Sequence, residues 1–91
     1  MDEVLQDFRR RAVGTKQALK LVARGMAEAV YVASDAEEHV IKNLVTSCRD
    51  RSVPVIYVET MTELGRACGI KVGAASAALI RHQGGAELAD D

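Results

Sequence analysis

Basic and amide side chains in the first third of the chain have the types and spacing needed to contact a polyanion. Three cations, Lys16, Lys20 and Arg24, recur at every fourth position. Gln17 lies three positions before Lys20. On a helix this spacing puts the four side chains on one face, where cations can bind phosphate and the amide can donate and accept hydrogen bonds. A solvent-exposed helix face has the same composition, so the pattern alone leaves both interpretations open.

The start of the same segment can add backbone groups to such a contact. Thr15 is a typical N-cap after Gly14, and Gly25 is a typical stop. The apolar stripe between them is Ala18, Leu19, Val22 and Ala23. The free N–H groups and positive dipole end of a helix start favour an anion, and the preceding glycine lets a phosphate approach closely.

A second candidate group lies at a bend bounded by glycines. Ile70 and Val72 stand between Gly69 and Gly73, where a solvent-exposed loop would normally be polar. Lys71 lies between the two apolar residues. The bend therefore predicts an apolar contact surface beside cations, and the alternative is that the two apolar side chains plug the edge of the core.

The distribution of charge links the two groups. Residues 8–27 contain six basic and no acidic residues, and residues 64–86 contain three basic and no acidic residues. The rest of the chain has three basic and 13 acidic residues, which restores the formal net charge of -1. Two stretches cleared of carboxylates form a surface for a polyanion if they meet in the fold.

Apolar runs predict the strands that must position these groups. Runs of strand length, rich in Val and Ile, cover residues 29–33, 53–58 and 74–80, and they are typical of strands buried on both faces. A further short strand is expected near residues 11–13, after a short N-terminal helix.

Helical patterns separate these strands. The face Val40, Ile41, Leu44, Val45 and Cys48 has a helical period. Its predicted start is a capping box, either Ser34 with Glu37 or Asp35 with Glu38. A second box, Thr60 with Glu63, opens a shorter helix whose Leu64, Ala67 and Cys68 face inward and which Gly69 ends. The alternation predicts an α/β fold with helices on both sides of the sheet.

Length and composition make an enzyme the weaker hypothesis. A chain of 91 residues with 48% hydrophobic and 27% charged residues forms one small globular domain with little room for a deep pocket. No phosphate-loop or nucleophile motif is present, and His39 and His82 lie at a predicted helix start and near the C-terminus. We expect no catalytic residues.

The cysteines and apolar runs bear on metals, membranes and location. Cys48 and Cys68 are 20 positions apart without metal-ligand spacing, so both are expected to be buried thiols, and no metal or cofactor is indicated. No apolar run reaches membrane-spanning length, and the acidic N-terminus differs from a signal peptide. We expect a cytoplasmic protein.

The aromatic content limits how the chain could bind single-stranded RNA. With only Phe8, Tyr31 and Tyr57, it lacks the rings of a broad base-stacking platform.

Two motifs resemble a known family. The string from Gly14 to Lys20, GTKQALK, and the string at residues 64–75, LGRACGIKVGAA, resemble the L-seven-Ae family of ribosomal proteins that bind kink-turn RNA. The resemblance runs from about Val13 to Ile80. From the residues themselves we expect a flexible tail, residues 82–91. The resemblance implies a three-layer α/β/α sandwich around a mixed four-stranded sheet, in a single domain of residues 1–81. It also implies binding of sharply bent RNA beside tandem sheared G·A pairs.

The resemblance assigns roles to the two groups. The first motif would enter the widened major groove at the G·A pairs, through Gly14, Thr15, Lys16, Gln17 and Lys20. In the loop before the last strand, Ile70 and Val72 would pack on an extruded nucleotide, with Arg66 and Lys71 near the backbone. Arg24 extends the basic face from the residue pattern alone.

The chain departs from the family at one step of the first motif. Archaeal and eukaryotic members usually have Asn-Glu where this chain has Lys16-Gln17. Gln17 can still accept a hydrogen bond from guanine, without the strength of a charged acceptor. Lys16 can donate to the O6 and N7 atoms of guanine. Lys-Gln resembles the variant of bacterial relatives.

These observations predict a non-catalytic, monomeric RNA-binding protein. Its expected partner is a kink-turn in ribosomal RNA or in an mRNA leader, with a ribosome-associated or regulatory role. The alternative is a protein-interaction module that uses the acidic segment 35–38 with Ile70 and Val72. A small nucleotide-handling enzyme is a third reading, for which the chain offers no nucleophile or base.

Overall fold

Strands and helices alternate along the chain in the computed structural model, which describes residues 3–81. A short 3-10 helix, Glu3–Gln6, comes first. The strands are β1 (Arg11–Val13), β2 (Ala27–Ala33), β3 (Val55–Val58) and β4 (Ser76–Ile80). The helices are α1 (Thr15–Ala23), α2 (Glu38–Asp50) and α3 (Met61–Ala67). The predicted tail, residues 82–91, lies outside the described residues.

The four strands form one mixed sheet in the order β1-β4-β2-β3. β2 and β3 run parallel, whereas β4 pairs antiparallel with both β1 and β2. The parallel pair is joined through α2, because a parallel connection needs a crossover. This arrangement confirms the predicted α/β class and the mixed four-stranded sheet.

Helices cover both faces of the sheet and enclose two cores. On one face α1 and α2 bury a cluster that includes Val22, Val30, Leu44 and Cys48. On the other face α3 and the 3-10 helix bury a cluster that includes Leu5, Leu64 and Cys68. The molecule therefore has the predicted three layers, α/β/α.

The strand boundaries shift from the sequence prediction, and β3 differs in burial. β2 begins at Ala27, two residues earlier than expected, while β3 and β4 each begin two residues later. β3 is an edge strand, and its Ile56 and Tyr57 are 41% and 58% exposed. The expectation that all runs are buried on both faces is wrong for β3, because the helices do not cover the outer edge of the sheet.

The predicted helix starts are right for α3 and wrong for the other two helices. Thr60 caps α3 by accepting a hydrogen bond from the Glu63 N–H at 3.0 Å. The N-cap of α2 is Glu37, which makes no side-chain cap bond. The Asp35 carboxylate instead accepts from the Met61 N–H at 2.8 Å and so ties the loop after β2 to the start of α3. The N-cap of α1 is Gly14 rather than Thr15.

Both cysteines are free and buried, as predicted. Burial raises the pKa of the Cys48 thiol. Burial also raises the pKa of the Cys68 thiol, against a smaller opposite effect of the Arg11 charge. Arg11 donates to the Cys68 carbonyl oxygen at 3.1 Å and to the Leu5 carbonyl oxygen at 3.0 Å. One cation of the basic N-terminal stretch is therefore held by the fold.

The described residues contain neither a candidate membrane-spanning helix nor a candidate metal site. Among residues 3–81, no helix is both long and apolar enough to cross a membrane. Within the same residues, no group of three or more His, Cys, Asp or Glu side chains could hold a metal ion. His39 is exposed and lies 3.4 Å from the Glu37 carboxylate, as expected for a surface residue.

Candidate nucleic-acid interface

The start of α1 is open to an anion. Gly14 is the N-cap at φ 108, in the region that favours glycine, and no side chain of the described residues caps this helix. The Gly14 carbonyl accepts the first helical hydrogen bond, from the Ala18 N–H at 3.0 Å. The N–H groups of the first turn are thus left to solvent or to a ligand, at the positive end of the helix dipole.

A buried serine attaches the start of α1 to the sheet. The Gly14 N–H donates to the Ser76 carbonyl oxygen at 2.9 Å. The Thr15 and Ser76 hydroxyl oxygens lie 2.7 Å apart and share a hydrogen bond. Thr15 therefore positions the helix start instead of capping it. Ser76 was missed at the sequence level, because a lone serine in an alanine-rich strand gives no signal of its partner.

The polar side chains of α1 face solvent along the helix. Lys16, Gln17, Lys20 and Arg24 are all exposed. No acidic side chain of the described residues pairs with the three cations. Lys16 and Arg24 are eight positions apart, which corresponds to about 12 Å along the helix axis. Arg24 is the C-cap of α1, so the structure puts it at the far end from Gly14.

The second group forms a loop, residues 70–73, that is bonded to α3 at both ends. The Ile70 N–H donates to the Gly65 carbonyl at 3.1 Å, and the Ala74 N–H donates to the Met61 carbonyl at 3.0 Å. A Cβ at Gly65 would overlap the Val72 carbonyl oxygen. The loop rests directly on the helix backbone, which requires glycine at this position.

The two apolar residues of loop 70–73 differ in how far their side chains are exposed. Ile70 is half-buried and packs on the core beneath α3, whereas Val72 is 70% exposed. The core-plug interpretation therefore describes Ile70, and Val72 is the apolar side chain offered to solvent. A cavity of about 220 Å³ lies beside them, lined by Thr62, Arg66, Ile70, Lys71, Val72 and Gly73. Thr62 and Gly73 were not among the sequence candidates.

The two groups share one end of the sheet. Ser76, which bonds to Gly14 and Thr15, follows Gly73 by only three residues. The start of α1 and loop 70–73 thus lie where β1 ends and β4 begins. Asp35 and Glu59 follow the carboxyl ends of β2 and β3, so acidic residues occupy the other half of this sheet end. A polyanion is favoured on the first half and repelled from the second.

Comparisons with known proteins agree with this architecture. The family model described as "Ribosomal protein L7Ae/L30e/S12e/Gadd45 family" matches residues 2–89. The chain belongs to this family. This L7Ae-family chain is 51% identical over 69 residues to a protein named as an RNA-binding protein in Caldanaerobacter subterraneus, covering 76% of this chain and 84% of that protein. It is 41% identical over 69 residues to the RNA-binding protein YbxF of Geobacillus stearothermophilus, with the same coverage.

Solved structures share the fold of this L7Ae-family chain. The Giardia lamblia 15.5kD RNA binding protein superposes with a TM-score of 0.81 at 29% identity, covering 94% of this chain and 75% of that one. A Bacillus halodurans protein of unknown function superposes with a TM-score of 0.76 at 29% identity, covering 90% of this chain and 84% of that one. The resemblance to the family that the two motifs indicated is confirmed.

Proposed function

We propose that this protein binds RNA without catalysis and that its target is a kink-turn. The observation that carries the proposal is the pairing of two surfaces at one end of the sheet: the uncapped start of α1 and the glycine-bounded loop 70–73. Ser76 holds the first surface, and the backbone of α3 holds the second. The family relationship and the names of the relatives support RNA as the ligand.

In this proposal the start of α1 reads the bent part of the RNA. Its free N–H groups meet phosphate or base-edge acceptors. Lys16 donates to guanine O6 or N7 at a G·A pair. The Gln17 side chain accepts hydrogen bonds from base edges through its carbonyl oxygen and donates to them through its NH₂ group. Lys20 is one turn further along the helix, at a distance suited to the phosphate backbone.

In the same proposal, loop 70–73 contacts the nucleotide that is extruded at the bend of the RNA. Val72 provides an exposed apolar surface for the base, and the cavity beside it is bordered by the cations Arg66 and Lys71. Shape and backbone contacts dominate such recognition, which suits a chain with few aromatic residues. We further propose a cytoplasmic, monomeric protein that acts on ribosomal RNA or an mRNA leader.

A titration with two RNAs tests the proposal. The purified protein is titrated against a labelled kink-turn RNA and against a matched RNA in which Watson–Crick pairs replace the G·A pairs, at two salt concentrations. We expect tight binding to the kink-turn alone, with an affinity that falls as salt rises. Equal, weak and strongly salt-dependent binding to both RNAs would reject kink-turn recognition. That result would favour the protein-interaction alternative, for which the exposed Val72 is also suited.

A further inference from the structure

A second basic surface lies at the opposite end of the sheet. Arginines from four separate segments lie at this end: the turn before β1, the end of α1, the end of α2 and the end of β4. We call this surface the arginine pole, and it consists of Arg9, Arg10, Arg24, Arg49, Arg51 and Arg81. Five of them are exposed, and Arg10 is half-buried.

Backbone hydrogen bonds bring three of these segments together. The Ile80 N–H donates to the Arg10 carbonyl at 2.7 Å, which joins the turn before β1 to the end of β4. The Arg81 N–H donates to the Met26 carbonyl at 2.6 Å. The Arg81 guanidinium donates to the Gly25 carbonyl at 3.3 Å, directly after α1. The arrangement is therefore set by strand pairing and helix termination.

The end of α2 completes the surface. The helix closes through Ser52, at φ 60, where the Val53 N–H donates to the Cys48 carbonyl at 2.8 Å. This closure puts Arg51 on the rim of a cavity of about 280 Å³ that Arg81 and Glu28 also line. The cavity is open, and two guanidinium groups from distant parts of the chain border it.

Acidic residues reduce the charge of the pole without cancelling it. Asp7 lies 3.3 Å from the Arg9 guanidinium, and its pKa is lowered, chiefly by the hydrogen bond from the Arg9 N–H. Among residues 3–81, Glu28 and Asp50 are the other two acids at this end. Six arginines against three carboxylates leave a net charge of +3. The ends of α1 and α2 also direct carbonyl groups here, so an anion must be bound by guanidinium tips rather than by backbone N–H groups.

An exposed aromatic ring distinguishes this pole from an ordinary basic patch. Phe8 is 74% exposed, and it directly precedes Arg9 and Arg10 in the turn before β1. A ring exposed to this extent can stack on an unpaired base, and neighbouring arginines can bind the adjoining phosphates. An acidic protein segment would satisfy the arginines but has no comparable use for the ring.

We propose that the arginine pole binds an unpaired segment of RNA through Phe8 and the surrounding arginines, separately from the α1 and 70–73 surface. β2 runs between the two ends of the sheet, and its seven residues span about 20 Å. One protein can therefore hold a bent duplex at one end and a single strand at the other. The contact is independent of base sequence, because stacking and phosphate binding do not select a base.

A tryptophan probe tests the stacking contact. The chain contains no tryptophan, so Phe8→Trp introduces a single tryptophan, which can be excited selectively, at an exposed position. The full chain is titrated with an unstructured oligouridylate of about 12 nucleotides. We expect saturable quenching at low salt. The absence of quenching overturns the proposal.

Charge variants show whether the arginines take part. Arg51→Gln should weaken the binding of the same oligonucleotide by about threefold and lower the salt slope by about 0.7, as expected for one lost phosphate contact on a single strand. Lys42→Gln, an exposed cation in the middle of α2, is the matched control and should change neither quantity. Equal losses of affinity in both variants overturn the proposal, because they would report only net charge.

A third variant tests the ring itself. Phe8→Leu keeps an apolar side chain but should also bind the oligonucleotide less tightly, and an unchanged affinity overturns the stacking contact.

A competition experiment separates this proposal from the proposed kink-turn function. If unlabelled kink-turn RNA does not relieve the quenching, the two surfaces are distinct; if it does so stoichiometrically, a second site is rejected. Failure of kink-turn binding with intact quenching would reject only the first proposal. The reverse result would reject only the second.

Discussion

Two neighbouring side chains on α1, Lys20 and Gln17, differ in what they can recognise. Lys20 offers a charge to phosphate, so Lys20→Ala should weaken kinked and simple duplex RNA alike, by about five- to tenfold, and lower the salt slope by about 0.9. Gln17→Ala should instead reduce the preference for G·A-containing RNA, because amide hydrogen bonds report on base edges. Titrations with both RNAs at several salt concentrations measure these effects. Equal losses on both RNAs for both variants would contradict this division.

Gly65 has a sharper structural requirement than its position in a helix suggests. A Cβ there would overlap the Val72 carbonyl, so Gly65→Ala must displace loop 70–73. We expect a loss of about 1–3 kcal/mol in the free energy of unfolding and weaker RNA binding. Thr62→Ala, at an exposed position of the same helix, is the control and should change stability by less than about 0.5 kcal/mol. Chemical denaturation of both variants measures these changes in the free energy of unfolding.

At the scale of elements, the N-terminus of α3, which has a side-chain cap, and the N-terminus of α2, which has none, should respond differently to mutation. Thr60→Ala removes the hydrogen bond to the Glu63 N–H and should cost about 0.5–2 kcal/mol of stability. Glu37→Ala, at the N-cap of α2, should cost much less, because Glu37 makes no side-chain cap bond. Comparable losses in thermal or chemical unfolding would show that α2 is capped in solution in a way that the structure lacks.

A pair of hydroxyl groups adds to the backbone hydrogen bond that attaches the start of α1 to β4. Ser76 is fully buried, so Ser76→Ala leaves the Thr15 hydroxyl without this partner and should cost about 1 kcal/mol. A double-mutant cycle with Thr15→Val isolates the pairwise contribution. We also expect the single variants to weaken kink-turn RNA more than simple duplex RNA, since they loosen the helix start. A coupling energy near zero would rule out the hydroxyl pair as the positioning contact.

At the scale of the whole molecule, the two thiols report on the two cores. Cys48 is buried beneath α1 and α2, and Cys68 is buried on the opposite face of the sheet. Burial raises the pKa of both thiols in the folded protein, so the unfolded chain forms thiolate at lower pH. The free energy of unfolding should therefore fall as the pH rises above the ordinary thiol value of 9.0.

Denaturation at neutral and alkaline pH measures this effect. The parent is compared with a Cys48→Ala, Cys68→Ala double variant, in which the same lysines and tyrosines titrate. The free energy of unfolding should fall less steeply with pH in the variant.

The reactivity of the thiols tests whether the two cores unfold together. In the parent at neutral pH, both thiols should react with a thiol reagent only as the protein unfolds, and at the same denaturant concentration if the two cores unfold together. Reaction of one thiol before the other would show that one core opens alone.

The sequence by itself determined the order of elements, the family and the chemistry of the two candidate surfaces. These features depend on local periodicity and motifs, such as the apolar repeat of α2 and the strings that begin at Gly14 and Leu64. The thiols were predictable for the same reason, because a free cysteine in an apolar pattern is usually buried.

Only the tertiary structure decided which long-range partner each polar group takes. Thr15 could cap its own helix, yet it bonds to Ser76, 61 positions away. Asp35 had a local partner available, yet it bonds across to Met61. β3 reads as a buried strand, but its place at the sheet edge exposes Tyr57. Sequence periodicity records which side of an element is apolar. Which element packs against that side follows from strand order and register, and these depend on contacts between distant segments.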